Sequence, residues 1–200
     1  MRNGINAIQW CPGCGDFVIL GAIRKAIQEL GIPKHDLVVV SGIGCSGKAS
    51  QYIDGYAAET LHGRSLPFAL GVKLANPRLT VICIGGDGDG YGIGLGHFLH
   101  ACRRNDPITY LVFDNENYAL TTGQASATTP LGAKTRTTAS GNRTAPLDPV
   151  AIARLAGCGF SEEGSDGNLS ALKELIKSAI LHDGFSHVNI KQACPSWKAW

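Results

Sequence analysis

Three predominantly apolar runs constrain the fold more than any other feature of the sequence. They are Leu37–Val40, Leu79–Ile84 and Ile108–Phe113, and a glycine or an asparagine follows each of them within two residues. Strands that are apolar along most of their length are typical of a parallel sheet that is buried on both faces. Because segments of helical periodicity separate the runs, the sequence predicts an α/β fold with a doubly wound, mostly parallel sheet.

The helical segments and the remaining strands complete this prediction. Helices are predicted at 16–30 and near 65–75, 93–104, 148–156 and 168–182, and further strands near 158–161 and 186–191. We expect Asp16 to cap the first helix and Gly31 to end it. All 200 residues are expected to form a single domain. The polar segment 121–147 is long for a compact domain, which is typical of a functional loop or a disordered one.

Composition narrows the function classes. The formal net charge is only +2, so the sequence indicates neither a nucleic-acid partner nor an anionic membrane surface. There is no apolar run of membrane-spanning length, and no basic start followed by an apolar stretch, so neither a membrane helix nor a signal peptide is predicted. The seven cysteines are interpreted as metal ligands or core residues and not as disulfides, which favours the cytoplasm.

A glycine-rich turn and a later asparagine predict a magnesium–diphosphate site. The second apolar run leads into Asp87-Gly88-Asp89-Gly90, and Asn115 follows Asp87 by 28 residues, at the end of the next run. Mg²⁺ prefers oxygen donors together with phosphate oxygens, so we expect Asp87, the Asn115 amide and the backbone carbonyl of Asn117 as ligands. The glycines allow backbone N–H groups to approach a diphosphate. The spacing resembles the thiamine diphosphate-binding motif; the alternative is an ordinary glycine-rich turn capped by an aspartate.

Four cysteines form a second candidate site. Cys11 and Cys14 have the C-x₂-C spacing that holds one metal centre, which needs two further ligands. Cys45 lies in the glycine turn after the first apolar run, and Cys194 follows the last predicted strand, so both are expected in loops. The remaining three are predicted to be core residues: Cys83, Cys102 and Cys158. Spacing alone leaves zinc, an iron–sulfur cluster and free thiols open.

Five segments together resemble one family. They are CPGCGD (11–16), SGIGCSGK (41–48), TLHGRSLPFALGVKLANP (60–77), GGDGDGYGIGLGHFLHACRRN (85–105) and DNENYALTTGQASATTP (114–130). In this order they resemble the β subunit of the two-subunit 2-oxoacid:ferredoxin oxidoreductases, whose fold is the thiamine diphosphate-binding fold. The resemblance covers most of residues 11–130, and five motifs in one order make it specific.

The resemblance implies roles for individual residues. It implies a [4Fe–4S] cluster on Cys11, Cys14, Cys45 and Cys194, and Mg²⁺ on Asp87, Asn115 and the carbonyl of Asn117. It implies thiamine diphosphate contacts from Ile43, Gly44, Cys45, Ser46, His62, Gly88, Asp89, Ala119 and Leu120. Lys48 is expected to bind the carboxylate of the 2-oxoacid, with His62 as a second catalytic candidate. The alternatives are a solvated loop lysine and an ordinary turn histidine.

The resemblance also implies a reaction and partners. The reaction is coenzyme A-dependent oxidative decarboxylation of a 2-oxoacid, of the pyruvate or 2-oxoglutarate type, to acyl-CoA and CO₂, with electrons passing through the cluster to ferredoxin. No glutamate for activating the cofactor can be assigned here. The resemblance places it on a partner α subunit, with or without γ and δ subunits, so the chain alone is expected to be inactive. The alternatives are a subunit of a non-oxidative thiamine-dependent decarboxylase, and a zinc or iron–sulfur subunit without catalysis.

Three basic residues in the long polar segment are a further candidate. Lys134, Arg136 and Arg143 are expected to contact either the phosphates of coenzyme A or the partner subunit. The alternative interpretation is a solvated loop.

Overall fold

A computed structural model describes residues 8–198 and residue 200 of the chain. In this part of the chain the strands are β1 (Leu37–Ser41), β2 (Tyr56–Glu59), β3 (Thr80–Gly86), β4 (Thr109–Asp114), β5 (Asn117–Tyr118), β6 (Gln124–Ala125), β7 (Phe160–Ser165) and β8 (Ser186–Lys191). The α-helices there are α1 (Asp16–Glu29), α2 (Ser65–Ala75), α3 (Leu95–Arg104), α4 (Pro149–Leu155) and α5 (Leu169–Leu181). The predicted α/β class is therefore confirmed.

Six strands form one parallel sheet in the order β2–β1–β3–β4–β8–β7. Side chains of a strand alternate between its two faces. In β1, Leu37 and Val39 pack into the core that contains α1 and α5, whereas Val38 and Val40 pack into the core that contains α2, α3 and α4. Helices thus cover both faces, and the predicted doubly wound arrangement is confirmed.

The strand order brings three loops to one edge of the sheet. β1, β3 and β4 are neighbours, with Ser41 opposite Ile84 and Gly86 opposite Phe113. Because these strands are parallel, the loops that follow them lie side by side at their carboxyl ends, where such sheets bind ligands. These loops contain the residues predicted to bind the cofactor.

The expected cap of α1 is wrong. Gly15 occupies the N-cap position, and Asp16 is the first helical residue and makes no capping hydrogen bond. Asp16 is buried, and neither of its carboxylate oxygens has a hydrogen-bond partner among the described residues. The predicted end of the helix is confirmed, since α1 ends at Glu29 and Gly31 follows with φ +64°, a conformation that favours glycine.

The segment 121–147 forms a compact loop that is held by its own hydrogen bonds. Gly132 N donates to Asn142 O at 2.7 Å, and Asn142 N donates to Ala133 O at 2.8 Å. The Asn142 side chain also donates to the carbonyl of Thr129 at 2.9 Å. A small antiparallel hairpin of β5 and β6 leads into the segment. In the part of the chain described, no helix combines the length and the apolar character needed to cross a bilayer.

Candidate functional site

A cleft lies at the carboxyl edge of the sheet. It is lined by every residue that the sequence analysis expected to contact the cofactor or Mg²⁺. These residues are Ile43, Gly44, Cys45, Ser46, His62, Asp87, Gly88, Asp89, Asn115, Asn117, Ala119 and Leu120. The fold therefore brings together positions from four separate segments of the chain.

Asp87 is a buried carboxyl group at the floor of this cleft. Thr128 Oγ1 lies 3.1 Å from Asp87 Oδ2 and 2.7 Å from Asp114 Oδ1, so one hydroxyl bridges two acidic side chains. Burial and the neighbouring Asp114 raise the pKa of Asp87 to about 8. A buried carboxylate of this kind is stabilised by a cation, which lowers the free energy of its ionised form.

Asn115 and Asn117 hold each other in a compact turn. Asn117 N donates to Asn115 Oδ1 at 3.1 Å, and Asn117 Nδ2 donates to the Asn115 carbonyl at 2.9 Å. The Asn117 side-chain oxygen is buried without a hydrogen-bond partner among the described residues. Together with Asp87, the turn provides the carboxylate, amide and carbonyl oxygens that a magnesium site uses. The residues present therefore fit this ion.

Asp89 fastens two loops of the cleft together. Its Oδ1 accepts hydrogen bonds from Gly63 N at 2.7 Å and from Ile43 N at 3.2 Å. His62 Nδ1 lies 3.3 Å from the same oxygen. Burial raises the pKa of Asp89, while the two N–H groups and His62 act in the opposite direction. Only glycine fits at position 42, because a Cβ there would lie 2.2 Å from the Asp89 carboxylate oxygens.

Tyr118 closes against the glycine turn after β3. A Cβ on Gly88 would lie 2.2 Å from the Tyr118 ring, and the Tyr118 hydroxyl donates to the Gly88 carbonyl at 3.2 Å. The turn itself is a π-helix, Gly88–Ile93. Such turns occur frequently at functional sites. Tyr118 was not predicted from the sequence as a site residue.

All four candidate cysteine ligands line a second cavity. Cys11, Cys14, Cys45 and Cys194 surround it. Five residues line this cavity and also the cofactor cleft: Cys45, Asn115, Ala119, Leu120 and Gln192. The two cavities are therefore neighbours, and Cys45 is the one cysteine that borders both.

Backbone hydrogen bonds assemble this cavity from distant segments. Cys14 N donates to Cys11 O at 3.0 Å, which forms the turn of the C-x₂-C knuckle. Gly15 N donates to Ala193 O at 3.1 Å, which places the knuckle beside Cys194.

The other side of the cavity is held by Trp10. The Trp10 indole donates to the carbonyl of Cys45 at 2.8 Å. Through this contact the glycine turn after β1 meets the N-terminal knuckle.

The electrostatics of the cysteines fit a positively charged metal group. Burial, then the charge of Asp16, raises the pKa of Cys45 to about 11; Lys48 opposes this increase, and Cys194 and Cys11 contribute to it. Burial likewise raises the pKa of Cys14. Thiolates in such surroundings need a cationic partner, which the iron of a cluster supplies. Among the residues that the structure describes, no group of three His, Cys, Asp or Glu side chains is placed to hold a metal ion.

The structure places Lys48 apart from His62. Lys48 lines the cysteine cavity and not the cofactor cleft, and its Nζ donates to the Gln9 carbonyl at 3.0 Å. The role expected for Lys48, binding the carboxylate of the 2-oxoacid, therefore stays a prediction. In the polar segment 121–147, Arg136 donates to the Thr122 hydroxyl. This hydrogen bond stabilises the turn at Thr122.

A buried polar network behind Asp87 was not identified from the sequence. Asp114 Oδ2 accepts from Lys191 Nζ at 2.7 Å and from Asn189 Nδ2 at 3.0 Å. Lys191 and Asn189 lie on β8, more than 70 residues along the chain from Asp114. Their proximity follows from the pairing of β4 with β8, which no local motif indicates.

Comparison with known proteins agrees with this geometry. Residues 42–190 match the family model described as thiamine pyrophosphate enzyme, C-terminal TPP binding domain. Subunit β of 2-oxoacid:ferredoxin oxidoreductase 2 from Aeropyrum pernix is 50% identical over 190 residues, which cover 95% of this chain and 62% of that protein. The 2-oxoglutarate synthase subunit KorB of Archaeoglobus fulgidus is 42% identical over 94% of this chain and 70% of its own length.

A solved structure is similar along nearly the whole chain. It is the 2-oxoglutarate:ferredoxin oxidoreductase from Magnetococcus marinus, with 2-oxoglutarate, coenzyme A and succinyl-CoA bound. The two chains share 38% of residues with a TM-score of 0.96, and the match covers 99% of this chain and 70% of that one.

The fold and the cleft are those of the C-terminal domain of thiamine pyrophosphate enzymes, which is the domain that binds thiamine pyrophosphate. More closely, the chain belongs to the family of β subunits of 2-oxoacid:ferredoxin oxidoreductases. It spans 62% of the length of the Aeropyrum pernix and Saccharolobus solfataricus relatives.

Proposed function

We propose that the chain is the thiamine diphosphate- and cluster-binding part of a 2-oxoacid:ferredoxin oxidoreductase. The reaction is the coenzyme A-dependent oxidative decarboxylation of a 2-oxoacid to acyl-CoA and CO₂, with ferredoxin as electron acceptor. The relatives include proteins named for 2-oxoacids in general and for 2-oxoglutarate, which supports a substrate of this class. The proposed setting is the cytoplasm, where the free cysteines remain reduced.

One observation carries this proposal: Cys45 borders both the cofactor cleft and the cysteine cavity. An enzyme that releases electrons from a cofactor needs an acceptor close by. A cluster bound through Cys45 would lie directly next to the cleft. The non-oxidative alternative has no use for a four-cysteine cavity at this place.

In the cofactor cleft, the proposed ligands of Mg²⁺ are Asp87, Asn115 and the carbonyl of Asn117. The N–H groups of the turn at Gly88 are suited to the diphosphate. Bound thiamine diphosphate supplies the electron sink that allows a 2-oxoacid to lose CO₂. Asp89 keeps the surrounding loops in place, and His62, which is one-third exposed, is positioned to contact the bound molecules.

In the cysteine cavity, the proposed cluster ligands are Cys11, Cys14, Cys45 and Cys194. Lys48 lines this cavity, and we propose that it binds an anion, either the substrate carboxylate at the border of the cleft or an acidic partner group. The α subunit is proposed to complete the cleft with the acid that activates the cofactor, and ferredoxin to accept electrons from the cluster.

The test is an anaerobic assay of the protein together with its partner subunits. We expect reduction of ferredoxin that depends on both the 2-oxoacid and coenzyme A. Cys194→Ser should abolish ferredoxin reduction, because Cys194 is a proposed cluster ligand and lines only the cysteine cavity. Cys158→Ala in the apolar core is the matched control and should keep the activity. Release of CO₂ with an aldehyde and without ferredoxin reduction would favour the non-oxidative alternative.

A further inference from the structure

Glu116 has an unusual backbone conformation between the two asparagines of the cleft. Its φ is +62°, in the left-handed region that side chains other than glycine rarely adopt. The backbone is fastened on both sides: Glu116 N donates to Asp114 Oδ1 at 3.2 Å, and the Glu116 carbonyl accepts from Thr129 Oγ1 at 2.6 Å. Such strain persists only where surrounding contacts determine the conformation, and it clusters at functional sites.

The Glu116 side chain collects three donors. Its Oε2 lies 2.9 Å from Lys198 Nζ and accepts from the Trp200 indole at 3.1 Å. Its Oε1 lies 3.3 Å from Lys191 Nζ, which is also paired with Asp114. The carboxylate is mostly shielded from solvent, with 14% of the side chain exposed.

Lys198 belongs to the segment that carries Cys194. Lys198 N donates to the Cys194 carbonyl at 3.1 Å, so the residue closes the turn that begins at this cysteine. In the same segment Trp197 packs against the turn after Leu120, since a Cβ on Gly123 would lie 3.1 Å from its ring. Glu116 therefore lies within the Asn115–Asn117 turn and, through its side chain, contacts Lys198 of the segment that carries Cys194.

We propose that Glu116 is a positioning residue that couples the two sites, holding the Asn115–Asn117 turn and the Cys194 segment in one arrangement. The inference rests on the proposed function, because it concerns the groups that these sites bind. Asn115 lines both cavities and Cys194 only the cysteine cavity, and the Glu116–Lys198 pair joins the segments that carry them. Occupation of one site then favours the arrangement that the other requires.

An ordinary surface ion pair would not have this effect, and the chain provides a matched control. Glu29 also accepts from two lysines, Lys173 at 2.6 Å and Lys177 at 2.9 Å. This cluster joins α1 to α5, and none of the three residues lines the cofactor cleft or the cysteine cavity. Exposed pairs of this type contribute little to stability.

The experiment compares Glu116→Gln with Glu29→Gln in the anaerobically purified protein and its accompanying subunits. Calorimetry gives the affinity for Mg²⁺–thiamine diphosphate, and the decay of visible absorption under an iron chelator gives the rate of cluster loss. We expect Glu116→Gln to weaken cofactor binding by about tenfold, as is typical when a group that orients metal ligands is lost. Cluster loss should also be faster, whereas Glu29→Gln should change neither quantity.

Coupling between the two sites is measured as the effect of bound Mg²⁺–thiamine diphosphate on the rate of cluster loss. In the unaltered protein, saturating Mg²⁺–thiamine diphosphate should slow cluster loss, and in Glu116→Gln and Lys198→Gln this protection should disappear. A merely structural role would instead lower the unfolding temperature without removing the protection.

Glu116→Gly provides a second variant, because glycine adopts φ +62° without strain and lacks the side-chain contacts. Unchanged affinity and unchanged protection in the glutamine and glycine variants would overturn the inference. An unaltered protein that binds neither group would instead refute the proposed function itself, so the two failures are distinguishable.

Discussion

Asp87 illustrates how a single residue is prepared for a ligand. The carboxyl group is 2% exposed, and its pKa is raised to about 8 by burial and by Asp114. A side chain in this environment contributes little to the stability of the cofactor-free chain. Its burial strengthens its interaction with a cation, since charges attract more strongly away from water.

Asp87→Asn is therefore expected to separate function from stability. The affinity for Mg²⁺–thiamine diphosphate should fall by at least about 100-fold, since groups that only orient ligands already account for 10–100-fold. Without the cofactor, the variant should unfold at the same temperature as the unaltered protein or at a higher one. Calorimetry and thermal unfolding measure the two effects. Retained affinity would show that Asp87 is not a ligand.

The buried histidine His187 should make the free energy of unfolding depend on pH. It is fully buried, 2.7 Å from the Tyr91 hydroxyl and 2.8 Å from the Ser161 hydroxyl, and burial lowers its pKa to about 3. The unfolded chain, with an ordinary histidine pKa of about 6.5, binds a proton that the folded chain does not. The free energy of unfolding should therefore fall as pH drops from about 6.5 towards 3, by about 1.4 kcal/mol per pH unit from this residue.

Urea unfolding between about pH 4 and pH 6 tests this prediction. His187→Gln should have a correspondingly smaller slope of unfolding free energy against pH. The control is His35→Gln, whose side chain is 72% exposed and which should leave the slope unchanged. Equal slopes in all three proteins would show that His187 is protonated in the folded chain.

At the scale of elements, the loop after β1 depends on the absence of a side chain at position 42. Gly42→Ala should displace Asp89, because the new Cβ would lie 2.2 Å from its oxygens. We expect about 1–3 kcal/mol of destabilisation from the clash and weaker cofactor binding, as the Asp89 contacts to Ile43 and Gly63 are lost. Gly71→Ala in α2 meets no atom within 4 Å and should stabilise the chain by about 0.5–1 kcal/mol.

Chemical denaturation of the two alanine variants gives both free energies. If Gly42→Ala is as stable as Gly71→Ala and binds the cofactor normally, then Asp89 does not fasten these loops.

The elements that the sequence predicted well are those whose pattern is local. The apolar runs of β1, β3 and β4 and the periodicity of α1 and α5 are readable from adjacent residues. β2 was missed because it is a short edge strand with mostly exposed residues, which lacks an apolar pattern. The π-helix at Gly88–Ile93 and the β5–β6 hairpin were missed because they depend on contacts with Tyr118 and with the loop that follows.

The same distinction applies to the site. Asp87 and Asn115 follow buried strands and belong to a recognisable motif, so their place in one cleft could be predicted. The contacts of Asp114 with Asn189, and of Glu116 with Lys198, join residues about 75 and 82 positions apart. No spacing rule indicates such pairs before the strand order is known.

At the scale of the whole molecule, the arrangement of the two cavities follows from the strand order. Cys45 lies in the loop after β1, while the start of α1 and the segment after β8 bring Cys14 and Cys194 to the same edge. The doubly wound sheet therefore places the cysteine cavity beside the cofactor cleft. This cavity serves as an electron exit, as we propose, only when its cysteines hold an iron–sulfur cluster.

The most direct test is an iron, zinc and acid-labile sulfide determination on the anaerobically purified protein, together with its visible spectrum. We predict a brown protein with about four irons and four sulfides per chain, and the loss of both in Cys194→Ser. A colourless protein that contains one zinc per chain and no sulfide would contradict it.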